Sequence, residues 1–157
     1  MRRTFFAELH RQMTLNQNVY ALTGDLGFGG FDQIREDYPK RFINCGASEQ
    51  AMLDMAVGLA YEGKIPFVYT ITPFFLRAWE TIRTYVNHEK LPIVLVGSGR
   101  DKDYAHDGFS HDASDIGKAF EMFPNIRTYF PNDKAQIKGL LDTITYEPHP
   151  SFISLKR

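Results

Sequence analysis

Three groups of residues in this chain have the types and spacing to do chemistry. The first centres on Glu49. Before it stand Gly46, Ala47 and Ser48, small residues that let another molecule approach closely. Ser48 is placed as a helix N-cap, which puts Glu49 in the first turn. A carboxylate there serves either as a partner of the helix dipole or as a carboxyl desolvated for proton chemistry. The second group is the stretch Tyr104 to Asp115, which holds His106, Asp107, His111, Asp112 and Asp115. Imidazole and carboxylate suit a transition metal, but this spacing matches no metal signature. A polar loop turning at Asp107 and Gly108 is the other reading. The third group is aromatic: Phe67, Tyr69, Phe74, Phe75 and Trp79. Phe67 and Trp79 read as core. Phe74 follows Pro73 at a strand end, a position that presents a ring to a cleft.

The elements that must position these groups follow from periodicity. Phe5, Phe6, Leu9 and Met13 recur at helical spacing over 2–16. Strands are expected at 19–22, 41–45, 66–72, 93–97, 126–130 and 152–155, the third being a β-branched and aromatic run of the parallel-sheet type and the fourth the clearest buried strand. Helices are expected at 50–61, 74–88, 115–123 and 133–145, and a short helix or irregular connection at 33–40. From Gln50 to Tyr61 the one charged side chain is Asp54. A helix apolar almost all round is normally buried on every side, so a partner is expected to cover its second side. Gly63 suits the position just past its end. The loop Thr23–Gly30 does not fit the dinucleotide glycine fingerprint.

Strands alternating with helices argue a doubly wound, mainly parallel α/β sheet with helices on both faces. Ligands in such sheets sit beyond the carboxyl ends of the strands. Those ends are Asp25, the Gly46–Glu49 turn, Pro73 with Phe74, and the loop from Ser98 to His111, so the candidate segments share one edge.

With 157 residues, 43% of them hydrophobic, one domain with a full core is expected. Eighteen Lys and Arg against nineteen Asp and Glu leave a net charge of −1, no footprint for nucleic acid or an anionic membrane. Cys45 is alone, which removes any internal disulfide and fits a reducing compartment. No apolar run has the length of a membrane span and the N-terminus has no sustained apolar signal region. A soluble cytoplasmic protein is expected.

Several motifs occur together and in order: Gly46-Ala-Ser-Glu49-Gln-x-Met52 with Gly58 following, Glu62-Gly63-Lys64, Pro73-Phe74, Arg77-Ala-Trp79-Glu80, Lys90-Leu-Pro92 and His106-Asp107-Gly108-x-Ser110-His111. Over roughly Leu22 to Arg157 they resemble the pyrimidine-binding domain of transketolases, and the 1-deoxyxylulose-5-phosphate synthase branch is similar over the same stretches. The resemblance implies thiamine diphosphate as cofactor, with its aminopyrimidine held by this domain. Glu49 matches the glutamate that hydrogen-bonds the pyrimidine N1′. A carboxyl there favours the imino tautomer of the 4′-amino group, and for this it must share or keep a proton near neutral pH, which burial favours. By the same resemblance Phe74 packs on the pyrimidine and Ile71 lines its pocket. Asp25 approaches the cofactor from the first loop, His111 faces the reacting carbonyl, and Asp107 reads a substrate hydroxyl.

The chain also departs from the family pattern. It contains no G-D-G…N metal motif, so Mg²⁺ ligands and diphosphate contacts are expected on a second polypeptide. The resemblance is thus to one half of a split transketolase, paired with a diphosphate-domain subunit, by symmetry as a heterotetramer. Gly99 and Phe130 stand where basic residues would hold a sugar phosphate. Arg77 and Arg100 are left as the cations able to compensate at the substrate. Ser110 replaces a threonine. The implied reaction transfers a two-carbon ketol unit from a ketose to an aldose, free or phosphorylated. The rivals are a condensation starting from pyruvate, a non-catalytic docking subunit, and a metal hydrolase built on His106, Asp107, His111 and Asp112.

Overall fold

The computed structural model describes all residues from Met1 to Arg157. Its centre is a six-stranded sheet in the order β2-β1-β3-β4-β6-β5, with every pairing parallel. The strands are β1 (Val19–Thr23), β2 (Phe42–Asn44), β3 (Ile65–Ile71), β4 (Val94–Ser98), β5 (Arg127–Tyr129) and β6 (Ser151–Leu155). Successive side chains of a strand point to opposite faces, and the two cores sort accordingly. Leu22, Val68, Leu95 and Phe152 join one core. Val19, Ala21, Phe67, Tyr69, Val94, Val96, Ile153 and Leu155 join the other. The expected doubly wound α/β architecture is therefore present.

The second of these cores is roofed by α1 (Arg2–Leu15), α2 (Asp32–Asp37) and α6 (Ala135–Tyr146). Helix α1 buries Phe5, Phe6, Leu9 and Met13, the residues whose spacing predicted it. A polar clamp joins α1 to α6: Gln12 Nε2 donates to Asp142 Oδ1 at 2.7 Å, Arg11 donates to the same oxygen, and Lys138 Nζ donates to Oδ2 at 2.9 Å. The bond from Arg11, followed by those from Lys138 and Gln12, holds the Asp142 carboxyl well below the usual carboxylate range. A depressed carboxylate stabilises the fold above its unfolded pKa, and the contribution is lost as pH falls through its folded value. Asp142→Asn should therefore lower the melting temperature at pH 7, and the gap from wild type should narrow steadily below about pH 4. Melts across pH 2–7 check this; a constant gap would contradict it.

The first core is covered by α3 (Glu49–Tyr61), the segment Thr72–His88 and α5 (Ile116–Phe120). Sequence spacing predicts one helix across 74–88. The structure instead winds a 3-10 helix at Thr72–Ala78, a single α turn, α4 (Trp79–Thr81), and a π-helix at Ile82–His88. Three residues per turn eclipse positions i and i+3. Thr72, Phe75 and Ala78 thereby stack against the sheet as buried residues. The same winding aligns Phe74 and Arg77 on the outer side, in line with Ile71 before them. Trp79 is half-buried and packs against this core from its edge, its ring centroid 4.6 Å from that of Phe123.

Within this chain helix α3 is covered on one side only. Met52, Leu53, Ala56, Val57 and Ala60 lie against the sheet, whereas Met55, Gly58 and Tyr61 are exposed in the isolated chain. Ser48 occupies the N-cap position but forms no side-chain capping bond. Cys45 borders the open side, its Sγ 3.7 Å from Met55 Sδ, and partial burial pushes its thiol pKa up.

The sheet changes winding direction twice. One reversal lies between β1 and β3, the other between β4 and β6, where the chain reaches β5 before returning. Such switch points open crevices at the carboxyl ends of the strands.

Candidate active site

The β1/β3 crevice carries the candidate site. Glu49 enters it from the first turn of α3 and is only 3% exposed. Thr70, near the end of β3, donates from Oγ1 to Glu49 Oε1 at 3.3 Å. Arg77 donates from Nη1 to Glu49 Oε2 at 2.9 Å. A carboxylate this deeply buried needs such partners, because an unpaired charge out of water is costly. On the β1 side Gly24 borders the carboxylate: a Cβ added there would stand 3.7 Å from Oε1, an ordinary van der Waals contact.

The 3-10 row then places an aromatic surface beside the carboxylate. The Arg77 guanidinium carbon lies 3.8 Å from the Phe74 ring centroid, a cation–π contact. The edge of the same ring meets the His111 imidazole, centroids 5.0 Å apart. His111 Nδ1 is 3.0 Å from Ser110 Oγ. Glu49, Arg77, Phe74 and His111 thus form one continuous group, with the half-buried Ile71 in the row that leads to it. The substrate role expected of Arg77 is set against an inward geometry, since its guanidinium is turned onto Glu49.

Two predicted residues flank this group without joining it. Asp25 follows β1 in a left-handed conformation (φ 58°). Its backbone N–H donates to Asn44 Oδ1 at 3.0 Å, and Asn44 Nδ2 donates back to Asp25 Oδ1 at 3.1 Å. Asp107 is exposed on the loop after β4 and pairs with His106 at 3.4 Å. His106, Asp107, His111 and Asp112 do not converge, and no three His, Cys, Asp or Glu side chains gather into a metal-binding group.

Thr70 and Asn44 were not singled out from the sequence. Asn44 also accepts from the Gly46 N–H at 3.1 Å, tying together the loops after β1 and β2. Its signal was a polar residue ending an apolar strand two places before a glycine. Thr70 gave a similar signal, a hydroxyl inside the apolar run of β3, one of whose faces lies beneath α3.

The expectation that Arg100 compensates for missing phosphate-binding cations is corrected by the geometry. Arg100 is 8% exposed and fills the second crevice, between β4 and β6. It donates to Ser154 Oγ at 3.3 Å, to Asn132 Oδ1 at 3.1 Å, to the Pro131 carbonyl at 2.9 Å and to the Ser154 carbonyl. Burial lowers its pKa from the ordinary arginine value. A guanidinium so committed has nothing to offer a ligand. Beside it, the Tyr104 ring packs against Gly99, where an added Cβ would fall 2.3 Å from the ring. Arg2 Nη1 in turn donates to the Tyr104 hydroxyl at 2.9 Å.

Comparisons with known proteins show the family and the fold. The whole chain, residues 1–157, matches the family "Transketolase, pyrimidine binding domain". It is 32% identical over 143 residues to a Methanocaldococcus jannaschii protein described as a transketolase C-terminal section, covering 90% of this chain and 45% of that protein. It is 28% identical over 152 residues to the 1-deoxy-D-xylulose-5-phosphate synthase of Listeria monocytogenes, covering 96% of this chain and 25% of the enzyme. The chain therefore spans less than half the length of these relatives. Among solved structures it superposes on a split-gene transketolase, described as an inactive beta4 tetramer, with a TM-score of 0.86 at 27% identity. That match covers 99% of this chain and 51% of the other. Leishmania mexicana transketolase shares the fold at a TM-score of 0.87 and 20% identity, over 99% of this chain and 25% of that one. The chain belongs to the transketolase pyrimidine-binding domain family.

Proposed function

We propose that residues 1–157 act as one pyrimidine-binding domain, the small subunit of a split, thiamine-diphosphate-dependent transketolase that is active only with a diphosphate-domain partner. The observation that carries the reading is Glu49, a buried carboxylate at the mouth of the β1/β3 crevice with the Phe74 ring beside it. An aminopyrimidine needs a carboxyl to engage its N1′ edge and an apolar flat surface for its face. Glu49 meets the first need, and Phe74 with Ile71 the second, so the residues present fit the group.

When bound, thiamine diphosphate supplies the carbanion chemistry that lets a ketose be cleaved beside its carbonyl. The remaining work falls to this chain. Glu49 holds a proton at N1′ and so selects the tautomer. Phe74 and Ile71 orient the ring and exclude water. His111, against the edge of Phe74, is in place to move a proton at the sugar hydroxyls, and Asp107 on the neighbouring loop to read one of them. Asp25, fixed by Asn44, closes the β1 side. The Mg²⁺ ligands and diphosphate contacts belong to the partner, which seats on the open side of α3, in a heterotetramer. The substrate is a small sugar or sugar phosphate. No helix is long and apolar enough to cross a membrane, consistent with a cytoplasmic assembly acting on such a substrate.

A second reading has a specific basis. The Arg77-Ala-Trp79-Glu80 run and the likeness to a 1-deoxy-D-xylulose-5-phosphate synthase favour a condensation starting from pyruvate. One experiment separates the readings. The chain is mixed with a G-D-G…N-bearing diphosphate-domain chain, thiamine diphosphate and Mg²⁺, and offered ketose donors with an aldose acceptor, or pyruvate. Two-carbon transfer requiring both chains is expected. Release of carbon dioxide from pyruvate would favour the condensation, and turnover by the partner alone would leave this chain a docking role.

A further inference from the structure

The pair formed by Arg77 and Glu49 is more than charge compensation. The guanidinium occupies both features that make the crevice a site for a flat heterocycle: it donates to Glu49 Oε2 at 2.9 Å and covers the Phe74 face at 3.8 Å. A ring that hydrogen-bonds this carboxyl while packing on Phe74 needs the same volume. The two ends of the pair differ sharply in burial: Glu49 is 3% exposed in its side chain and Arg77 52% exposed. The carboxylate is held by α3 and by Thr70, so the guanidinium is the member free to leave, with open solvent to receive it. The 3-10 winding permits this arrangement, because it eclipses residues 74 and 77.

We propose that Arg77 is a positioning residue that holds Glu49 in place and keeps the pyrimidine pocket shut until the heterocycle displaces it. This inference rests on the reading of the crevice as a thiamine site and extends it. While the pair is closed, the carboxylate is oriented and spoken for. When the ring enters, Glu49 exchanges one hydrogen-bond donor for another, and the guanidinium swings off Phe74. The pocket is thus protected from other small cations and from collapse. The apparent affinity for the ring is reduced by the fraction of molecules that are open: if about one in ten is open, removing the latch tightens binding about tenfold.

The test uses the full chain, with thiamine itself as the probe, titrated and followed by two-dimensional NMR. Wild type, Arg77→Met, Arg77→Lys and Glu49→Ala are compared, with melting curves taken on each. Arg77→Met is expected to bind thiamine about tenfold more tightly than wild type even though its fold is less stable, a divergence that a purely structural role would not produce. Arg77→Lys, which keeps the charge but lacks the planar fork, is expected to fall between them. In wild type the Arg77 side-chain N–H signals should move as thiamine saturates. Thiamine binding by Arg77→Met that is no tighter than wild type, or undetectable, overturns the latch. Arg77→Lys binding as tightly as Arg77→Met would equally overturn a role for the fork. Failure of the parent reading looks different: Glu49→Ala, which removes the group that would engage the ring, would then leave thiamine binding unchanged. If Glu49→Ala abolishes binding and Arg77→Met does not tighten it, the thiamine site stands and the latch falls.

Discussion

Replacing Glu49 with glutamine should lower the turnover of the assembled enzyme by roughly a hundredfold or more, the usual scale for losing a positioned proton-transfer group. The change is nearly isosteric. A glutamine Oε1 still accepts from Thr70 or Arg77, so the crevice keeps its shape and α3 its place. What disappears is the exchangeable proton: an amide can hydrogen-bond a ring nitrogen but cannot share a proton with it as a carboxyl does. Assembly with the partner, measured by gel filtration, should be unaffected. The loss should fall on kcat rather than on KM for the sugar, since the interaction removed acts in the reaction and not in sugar binding. A Glu49→Gln enzyme with near wild-type turnover would remove the central element of the proposed chemistry.

The largest effect on stability is expected at Arg100. Arg100→Ala leaves the Pro131 and Ser154 carbonyls and the Ser154 and Asn132 side chains without their donor, and opens a cavity between β4 and β6. Losing a buried, charge-assisted network of this kind costs about 3 kcal/mol. For a domain of this size that corresponds to a melting temperature lower by roughly 6–12 °C. Arg100→Lys should recover only part of it, because a point charge cannot satisfy carbonyls on two different segments at once. Thermal melts of the two variants decide the matter. A shift below about 2 °C for Arg100→Ala would mean that the second crevice does not depend on its plug.

The two arginines also show what could be read from the sequence and what could not. The sheet followed from strands alternating with helices and from the apolar runs of β3 and β4, and the position of Glu49 from the small residues before it and the apolar helix after it. These are local patterns with short reach. The roles of Arg77 and Arg100 depend on which distant segments the topology brings beside them. Arg100 meets residues 131, 132 and 154 because β6 inserts between β4 and β5, which no spacing near residue 100 reveals. Arg77 meets Glu49 across 28 positions because the segment after Pro73 winds as a 3-10 helix, where α-helical spacing had been expected. Asn44 and Thr70 escaped notice for the same reason: a single amide or hydroxyl in a strand acquires meaning only from what lies across the crevice. The apolar pattern of α3, by contrast, pointed to a second chain as cover for one side, and this chain covers only the other.

That last feature has a mechanical consequence. Helix α3 is a rod of thirteen residues, about 20 Å long, which starts at the buried Glu49 carboxyl and carries Met55 and Tyr61 along its outward flank. Any subunit that grips that flank also holds the lever on which Glu49 is mounted. Looseness at the seam would surface as slippage at the chemistry, so quaternary fit and turnover are geared to one shaft and cannot be tuned apart.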